Sequence, residues 1–353
     1  MKKIEKLLSL LAPDIDALLV TSHKNQHYLS GFEFDDGYVL VTRGKSYLLT
    51  DFRYIEAAKE ETDPSFEVMT MTSNRKQMFY ELLSSNGVKK IAFEENHLSY
   101  ASKKAFEKLF EGFEFVPSGS VIEKMRVIKT PDEIEKMIKA QRIAEGAFEH
   151  ILGYINPERT EVDIALELEF YMRSHGAKSV SFDTIAVSGS ASSRPHGVPR
   201  PVKLEEGFLT MDFGALYQGY CSDMTRTVVL GKCTDEMKKV YNTVLEAQLA
   251  ALDAYAIGKT GKEIDKVARD IINNAGYEGC FGHGLGHGVG MDIHEAPGVS
   301  AGALTPFEVG HVVTCEPGIY LEGRFGVRIE DMVVFGENGA YNITLAPKEL
   351  III

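Results

Sequence analysis

Asp212 stands inside an apolar run, Phe208-Leu209-Thr210-Met211-Asp212-Phe213-Gly214-Ala215, and Asp223 follows eleven residues later in Ser222-Asp223-Met224-Thr225-Arg226-Thr227. Tyr217-Gln218-Gly219-Tyr220 between them reads as a hairpin turn, so the two aspartates are expected to face each other across paired strands. Gly214 lets another backbone or a ligand come close. A carboxylate in an apolar strand is costly unless it is paired, protonated or bound to a cation. Two together point to a cation. His283-Gly284-Leu285-Gly286-His287-Gly288-Val289-Gly290 carries two histidines four residues apart. The interleaved glycines argue against a helix and for a loop or strand edge presenting one imidazole. His294 follows in Asp292-Ile293-His294-Glu295.

Glu316 ends a β-branched strand before Pro317-Gly318, and Glu330 falls in the strand pattern Gly326-Val327-Arg328-Ile329-Glu330-Asp331-Met332. Arg328 and Glu330, two apart on a strand, point to the same face. Carboxylates with one imidazole suit two hard or borderline divalent ions such as Mn²⁺, Co²⁺, Fe²⁺ or Zn²⁺. A bridged pair about 3.5–4 Å apart generates hydroxide at neutral pH, and hydrolysis is its natural chemistry.

The elements that must position these groups follow from periodicity. Buried-strand patterns at Ala17-Leu18-Leu19-Val20, Tyr38-Val39-Leu40-Val41, Tyr47-Leu48-Leu49-Thr50, Phe66-Glu67-Val68-Met69 and Lys90-Ile91-Ala92-Phe93 alternate with helical patterns at about 74–85 and 98–110. They predict an α/β domain with a mixed sheet. Asp51-Phe52-Arg53-Tyr54 reads as a salt-bridged helix start. A boundary falls near residues 118–130, dividing the chain into 1–123 and 124–353, with a basic connector Lys124-Met125-Arg126-Val127-Ile128-Lys129. Thr130-Pro131-Asp132-Glu133 is a capping box with proline at the first helical position. Its helix carries Ile134, Met137, Ile138, Gln141, Ala144 and Phe148 on one side, an amphipathic stripe broken only by Gln141. A second helix begins after Thr160, and two more lie at about 234–256 and 262–274. Two helix pairs, each followed by strands, suggest a duplication packed on one curved sheet.

Composition narrows the partners. A net charge of −13, from 51 acidic and 38 basic residues, argues against nucleic acid and anionic membranes. Ile4, Leu7, Leu8 and Leu11 repeat at helical spacing, so the leading segment reads as an amphipathic helix and not as a signal peptide. No apolar stretch approaches the ~20 residues of a membrane span. Cys221, Cys233, Cys280 and Cys315 lack paired spacing and read as reduced thiols of a cytoplasmic protein.

Five blocks, Met211-Asp212-Phe213-Gly214-Ala215, Ser222-Asp223-Met224-Thr225-Arg226-Thr227, the 283–290 glycine-rich segment, Glu316-Pro317-Gly318 and Arg328-Ile329-Glu330-Asp331, resemble the signature blocks of the pita-bread metallopeptidases, in the Xaa-Pro aminopeptidase and prolidase branch. Thr50-Asp51-Phe52-Arg53-Tyr54 extends the resemblance to a creatinase-like N-terminal domain. The fold implied is α/β (α+β): that domain, then a pita-bread domain with a curved antiparallel sheet and two helix pairs. The resemblance makes Asp212 a bidentate ligand of one metal, Asp223 and Glu330 bridges between two, and His287 and Glu316 ligands of the second. Glu316 also becomes general base. His196 matches a substrate-binding, proton-shuttling histidine, and His294 one that hydrogen-bonds the scissile carbonyl. His283, Tyr320 and Arg328 match residues lining the substrate cleft.

Two divalent ions are implied, Mn²⁺ foremost with Co²⁺, Fe²⁺ or Zn²⁺ as alternatives, together with proline-containing peptides as substrates and a homodimer. An Xaa-Pro bond has no amide hydrogen, which sets it apart for such a site. Some prolidases carry an arginine four residues after the histidine matching His294. Here that position is Gly298, and the expected activity is Xaa-Pro aminopeptidase, with prolidase as the alternative. A non-catalytic pita-bread binding protein is the alternative of a different class.

Overall fold

The computed structural model describes residues 2–353. One compact unit runs up to Arg126 and the other from Val127 to Ile353. In the first, the strands Phe66–Thr70, Ser46–Thr50, Gly37–Thr42, Ala17–Val20, Lys90–Phe93 and Glu114–Pro117 lie in that order in one mixed sheet. Ala17–Val20 pairs antiparallel with Gly37–Thr42 and parallel with Lys90–Phe93. Leu18, Leu19, Val20, Val39, Leu40 and Val41 are wholly buried, as continuous apolar runs on a covered sheet should be. Helices Arg75–Ser85 and Tyr100–Leu109 fall where the pattern put them. Asp51 and Arg53 form the expected exposed ion pair ahead of helix Ile55–Glu61.

The basic connector begins in helix Val121–Val127: Arg126 is buried, its Nη1 donating to the Asn25 side-chain oxygen Oδ1 at 2.9 Å, Lys129 is buried against Glu295 at 2.5 Å, and Lys124 is exposed.

The second unit carries the two helix pairs, Pro131–Tyr154 with Glu161–Ser174, and Asp235–Ala254 with Gly261–Ile272. Threonine caps all four starts, Thr130, Thr160, Thr234 and Thr260, each hydroxyl accepting a first-turn N–H. Proline at the start of the first helix is preorganised for it. Behind the pairs lie antiparallel strands: Met224–Leu230, Gly207–Phe213 and Ile185–Ser188 in one sheet, and Glu295–Val299, Gly286–Gly288, Val312–Cys315, Asp331–Gly336 and Gly339–Asn342 in another. Matching bridges, Thr160 to Lys203 and Thr260 to Pro306, recur in the two halves. No helix among the described residues is long and apolar enough to cross a membrane.

Candidate metal centre

Period-two alternation aims the first carboxylate. Leu209, Met211 and Phe213 pack with the first helix pair, each burial contributing about 1.5–3 kcal/mol, so Asp212 projects from the opposite face of the strand. Asp212 is paired in register with Thr225. Asp223, two residues before Thr225, is therefore its diagonal neighbour on that face. The hairpin between them turns at Gln218 and Gly219, as its sequence predicts.

The other carboxylates sit where strands break. Asp223 lies between Tyr220–Cys221 and Met224–Leu230, Glu316 between Val312–Cys315 and Gly318–Leu321, and Glu330 between Phe325–Arg328 and Asp331–Gly336. Glu330 thus stands at a corner and not within a strand, because the chain leaves one sheet for another there. Thr225 still joins it to Arg328: the Thr225 hydroxyl donates to Glu330 Oε2 at 2.7 Å and accepts from Arg328 Nε at 3.0 Å. In the other half Thr314 donates to Glu316 Oε1 at 3.2 Å and accepts the His287 N–H at 3.1 Å.

His287 occupies the short strand Gly286–Gly288. A side chain at Gly286 would run into the Thr314 carbonyl of the neighbouring strand, which explains the glycine beside it. His287 Nδ1 donates to the Gly288 carbonyl at 3.1 Å, so Nε2 presents its lone pair, 3.5 Å from Asp223 and 3.4 Å from Glu316. Burial, then His294, brings its pKa down to about 4. The ring is neutral, and these contacts are not ion pairs. Burial, then the charges of Glu330, Asp212 and Glu316, holds Asp223 well above the carboxylate range. Glu330 is raised by burial, Glu316 and Asp212. Burial and Asp212 push Glu316 up to about 8 against the pull of Arg328.

Such a cluster calls for a cation. Ligand atoms of Asp223, His287 and Glu330 lie within 4.8 Å of one another. Asp212 Oδ1 is buried without a hydrogen-bond partner. Hard oxygens around one neutral imidazole are a donor set for first-row divalent ions, and the residues present fit them.

A cavity of about 510 Å³ opens onto this cluster. His196, His283, His294 and Arg328 line it with the metal-binding candidates, and Tyr320 does not. Tyr320 stands behind the wall: it accepts from Arg328 Nη1 at 2.8 Å and donates to His283 Nε2 at 2.9 Å. Burial lowers His283 to about 4 and raises Tyr320 to about 12, so both remain neutral. The His294 ring lies 4.2 Å from that of His287. Gly298 is exposed with open space around it and does not line the cavity.

Sequence reading passed over the supports. Asp265 and Arg269 hold the glycine-rich segment: Arg269 donates to the Phe281 and His283 carbonyls at 2.7 and 2.8 Å, and Asp265 accepts the Leu285 N–H at 3.1 Å. Thr225 and Thr314, each two residues from a site carboxylate, had a period-two signal available. Asp265 had none.

Residues 135–337 match the model of metallopeptidase family M24, and residues 3–128 that of the creatinase/prolidase N-terminal domain. The chain is 44% identical over 353 residues to the uncharacterized peptidase YqhT of Bacillus subtilis, covering 99% of this chain and 100% of the relative. Among solved structures, an Xaa-Pro dipeptidase from Bacillus anthracis superposes with a TM-score of 0.95 at 42% identity, covering 100% of this chain and 99% of the other. An X-Pro aminopeptidase from Thermotoga maritima superposes at 0.93 and 38% identity, covering 99% and 100%.

Proposed function

The chain belongs to metallopeptidase family M24, and on that footing we propose that it is an Xaa-Pro exopeptidase with two divalent ions held by Asp212, Asp223, His287, Glu316 and Glu330. The observation that carries this reading is that ligand atoms of Asp223, His287 and Glu330 converge within 4.8 Å, with the unpartnered Oδ1 of Asp212 lining the same cavity. When bound, the ions supply Lewis-acid polarisation of the carbonyl and an acidified water; Mn²⁺ is the first candidate, with Co²⁺, Fe²⁺ and Zn²⁺ behind it. Glu316 takes the proton of the attacking water. His294 donates to the scissile carbonyl as charge develops on its oxygen. His196, which lines the same cavity, orients the substrate and relays the proton to the leaving nitrogen. His283 and Tyr320 act through Arg328, which fixes Asp212.

The relatives divide between dipeptidase and aminopeptidase, and the cleft favours the aminopeptidase. A dipeptidase needs a cation for the proline carboxylate. Arg328 is the sole lysine or arginine lining the cavity among the described residues. Its donors go to Asp212, Tyr320, Thr225 and the Pro195 carbonyl. Peptides longer than Xaa-Pro therefore suit it better. A cytoplasmic location and a homodimer complete the proposal.

Metal analysis and paired assays test it. Protein loaded with Mn²⁺ is expected to hold two ions and to cleave an Xaa-Pro-Xaa tripeptide with higher kcat/KM than an Xaa-Pro dipeptide. A strong preference for the dipeptide makes it a prolidase. A chain inert with added Mn²⁺ or Co²⁺ and holding only trace metal is a binding protein.

A further inference from the structure

The loop that carries His196 is closed at its base by one buried carboxylate. Glu161, the first residue of helix Glu161–Ser174, has no exposed surface. Its Oε1 accepts the N–H and O–H of Ser188 at 2.7 and 2.8 Å, where the loop departs. Its Oε2 accepts the Arg200 N–H at 2.9 Å, where the loop returns. The Arg200 guanidinium lies across the same carboxylate, at 2.8 Å from Nε and 2.6 Å from Nη2, and reaches Glu205 at 3.2 Å. Glu205 closes the ring by donating its N–H to Ser188 Oγ at 3.0 Å. Between these anchors Pro195, His196, Gly197, Val198 and Pro199 line the cavity.

We propose that Glu161 and Arg200 are positioning residues, a clasp whose effect on hydrolysis is exerted through the placement of His196. The proposal rests on the reading of His196 as a group that meets the substrate. Burial of Glu161 pushes its carboxyl up, and Arg200 and Ser188 outweigh that, holding it below the ordinary range. The clasp is therefore charge-assisted and bidentate, which fixes direction as well as distance. The Asp265–Arg269 pair does the same for the His283 segment in the other half. Misplacing a substrate-contacting group by about 1 Å can cost on the order of 10²-fold in rate.

The test is a set of cycles in the full-length, metal-loaded protein: Glu161→Gln, Arg200→Gln and Arg200→Lys, each alone and combined with His196→Ala. Metal content and thermal midpoint are measured alongside kcat and KM for an Xaa-Pro-Xaa tripeptide. Glu161→Gln and Arg200→Gln are expected to keep their metal and lose about 10-fold or more in kcat/KM, with less than about 2-fold further loss in the His196→Ala background. Arg200→Lys should recover part of the loss. Amide exchange over residues 189–199 should rise. Equal losses in both backgrounds overturn the clasp. So do unimpaired single variants beside an impaired His196→Ala. A fully active His196→Ala instead sinks the reading of His196 itself. Should Glu161→Gln fail to fold, Arg200, whose side chain is 33% exposed, carries the same cycle.

Discussion

Arg328 Nη2 donates to Asp212 Oδ2 at 2.6 Å, while Oδ1 of the same half-buried carboxylate is shielded from solvent and has no partner. The arginine thus fixes one oxygen and leaves the other facing the cluster. Burial alone would depress Arg328, but Tyr320, Asp212, Glu316 and Glu330 hold it protonated. Arg328→Lys keeps the charge and loses the planar fork that serves several acceptors at once. Metal affinity should fall about 10-fold or more, as for other groups that orient a ligand, with kcat/KM falling further. Metal titration and steady-state assays read both. Unchanged affinity would mean that Arg328 supplies charge alone.

Burial, then the neighbouring carboxylates, raises Asp223 and Glu330. Asp223→Asn or Glu330→Gln removes one source of repulsion in the metal-free chain. The metal-free variants should therefore unfold no earlier than the metal-free parent. They should lose at least one ion, nearly all turnover, and the rise in midpoint that metal confers by binding the native state. Melting curves with and without Mn²⁺ decide it. Two ions retained at full activity would remove both residues from the ligand set.

Replacing His196 or His294 should leave the metals in place and lower kcat/KM by about 10²-fold. The close approach of the His294 and His287 rings makes the second variant the sharper one. Metal loss in His294→Ala would make His294 the ligand in place of His287.

His311 lies outside this cluster and predicts an acid sensitivity. It is buried, and burial, then Lys129, lowers its pKa to about 4 against a counter-effect of Glu308. Its Nδ1 accepts the Glu308 N–H at 3.1 Å. As pH falls through about 6.5 the unfolded chain takes up this proton before the folded one. Stability is lost from there down to about 4, by up to about 3 kcal/mol. His311→Gln should shrink the drop in midpoint between pH 7 and 5, measured on metal-free parent and variant. Identical drops would mean that His311 carries none of it.

What could be read from sequence was whatever has a short period. The strand around Asp212, the turn at Gln218-Gly219 and the Thr130 cap all appear where local pattern put them. Links across long separations left no such mark. Thr225 meets Glu330 across 105 residues, and Lys129 meets Glu295 across 166. Tyr320 was expected in the cleft, yet it stands behind Arg328, because its neighbours are set by the fold and not by adjacency.

Gly214 offers the last test, because it joins the hairpin to the metal cluster. A β-carbon there would run into the Ser222 carbonyl and stand 3.0 Å from Ser181 Oγ. The obstacle is backbone, which cannot swing aside as a side-chain tip can. Ser222 immediately precedes Asp223, so any relief moves the carboxylate that faces Asp212. Gly214→Ala should destabilise by about 2 kcal/mol or more, within the range of overpacked cores, and should lower metal stoichiometry even in molecules that remain folded. Gly302→Ala is the control: nothing lies near its β-carbon, and the change should stay within about 0.5 kcal/mol. Chemical unfolding and metal analysis of the two variants give the answer. A Gly214→Ala protein as stable as the control, with both ions bound, would mean that the strands separate without moving Asp223.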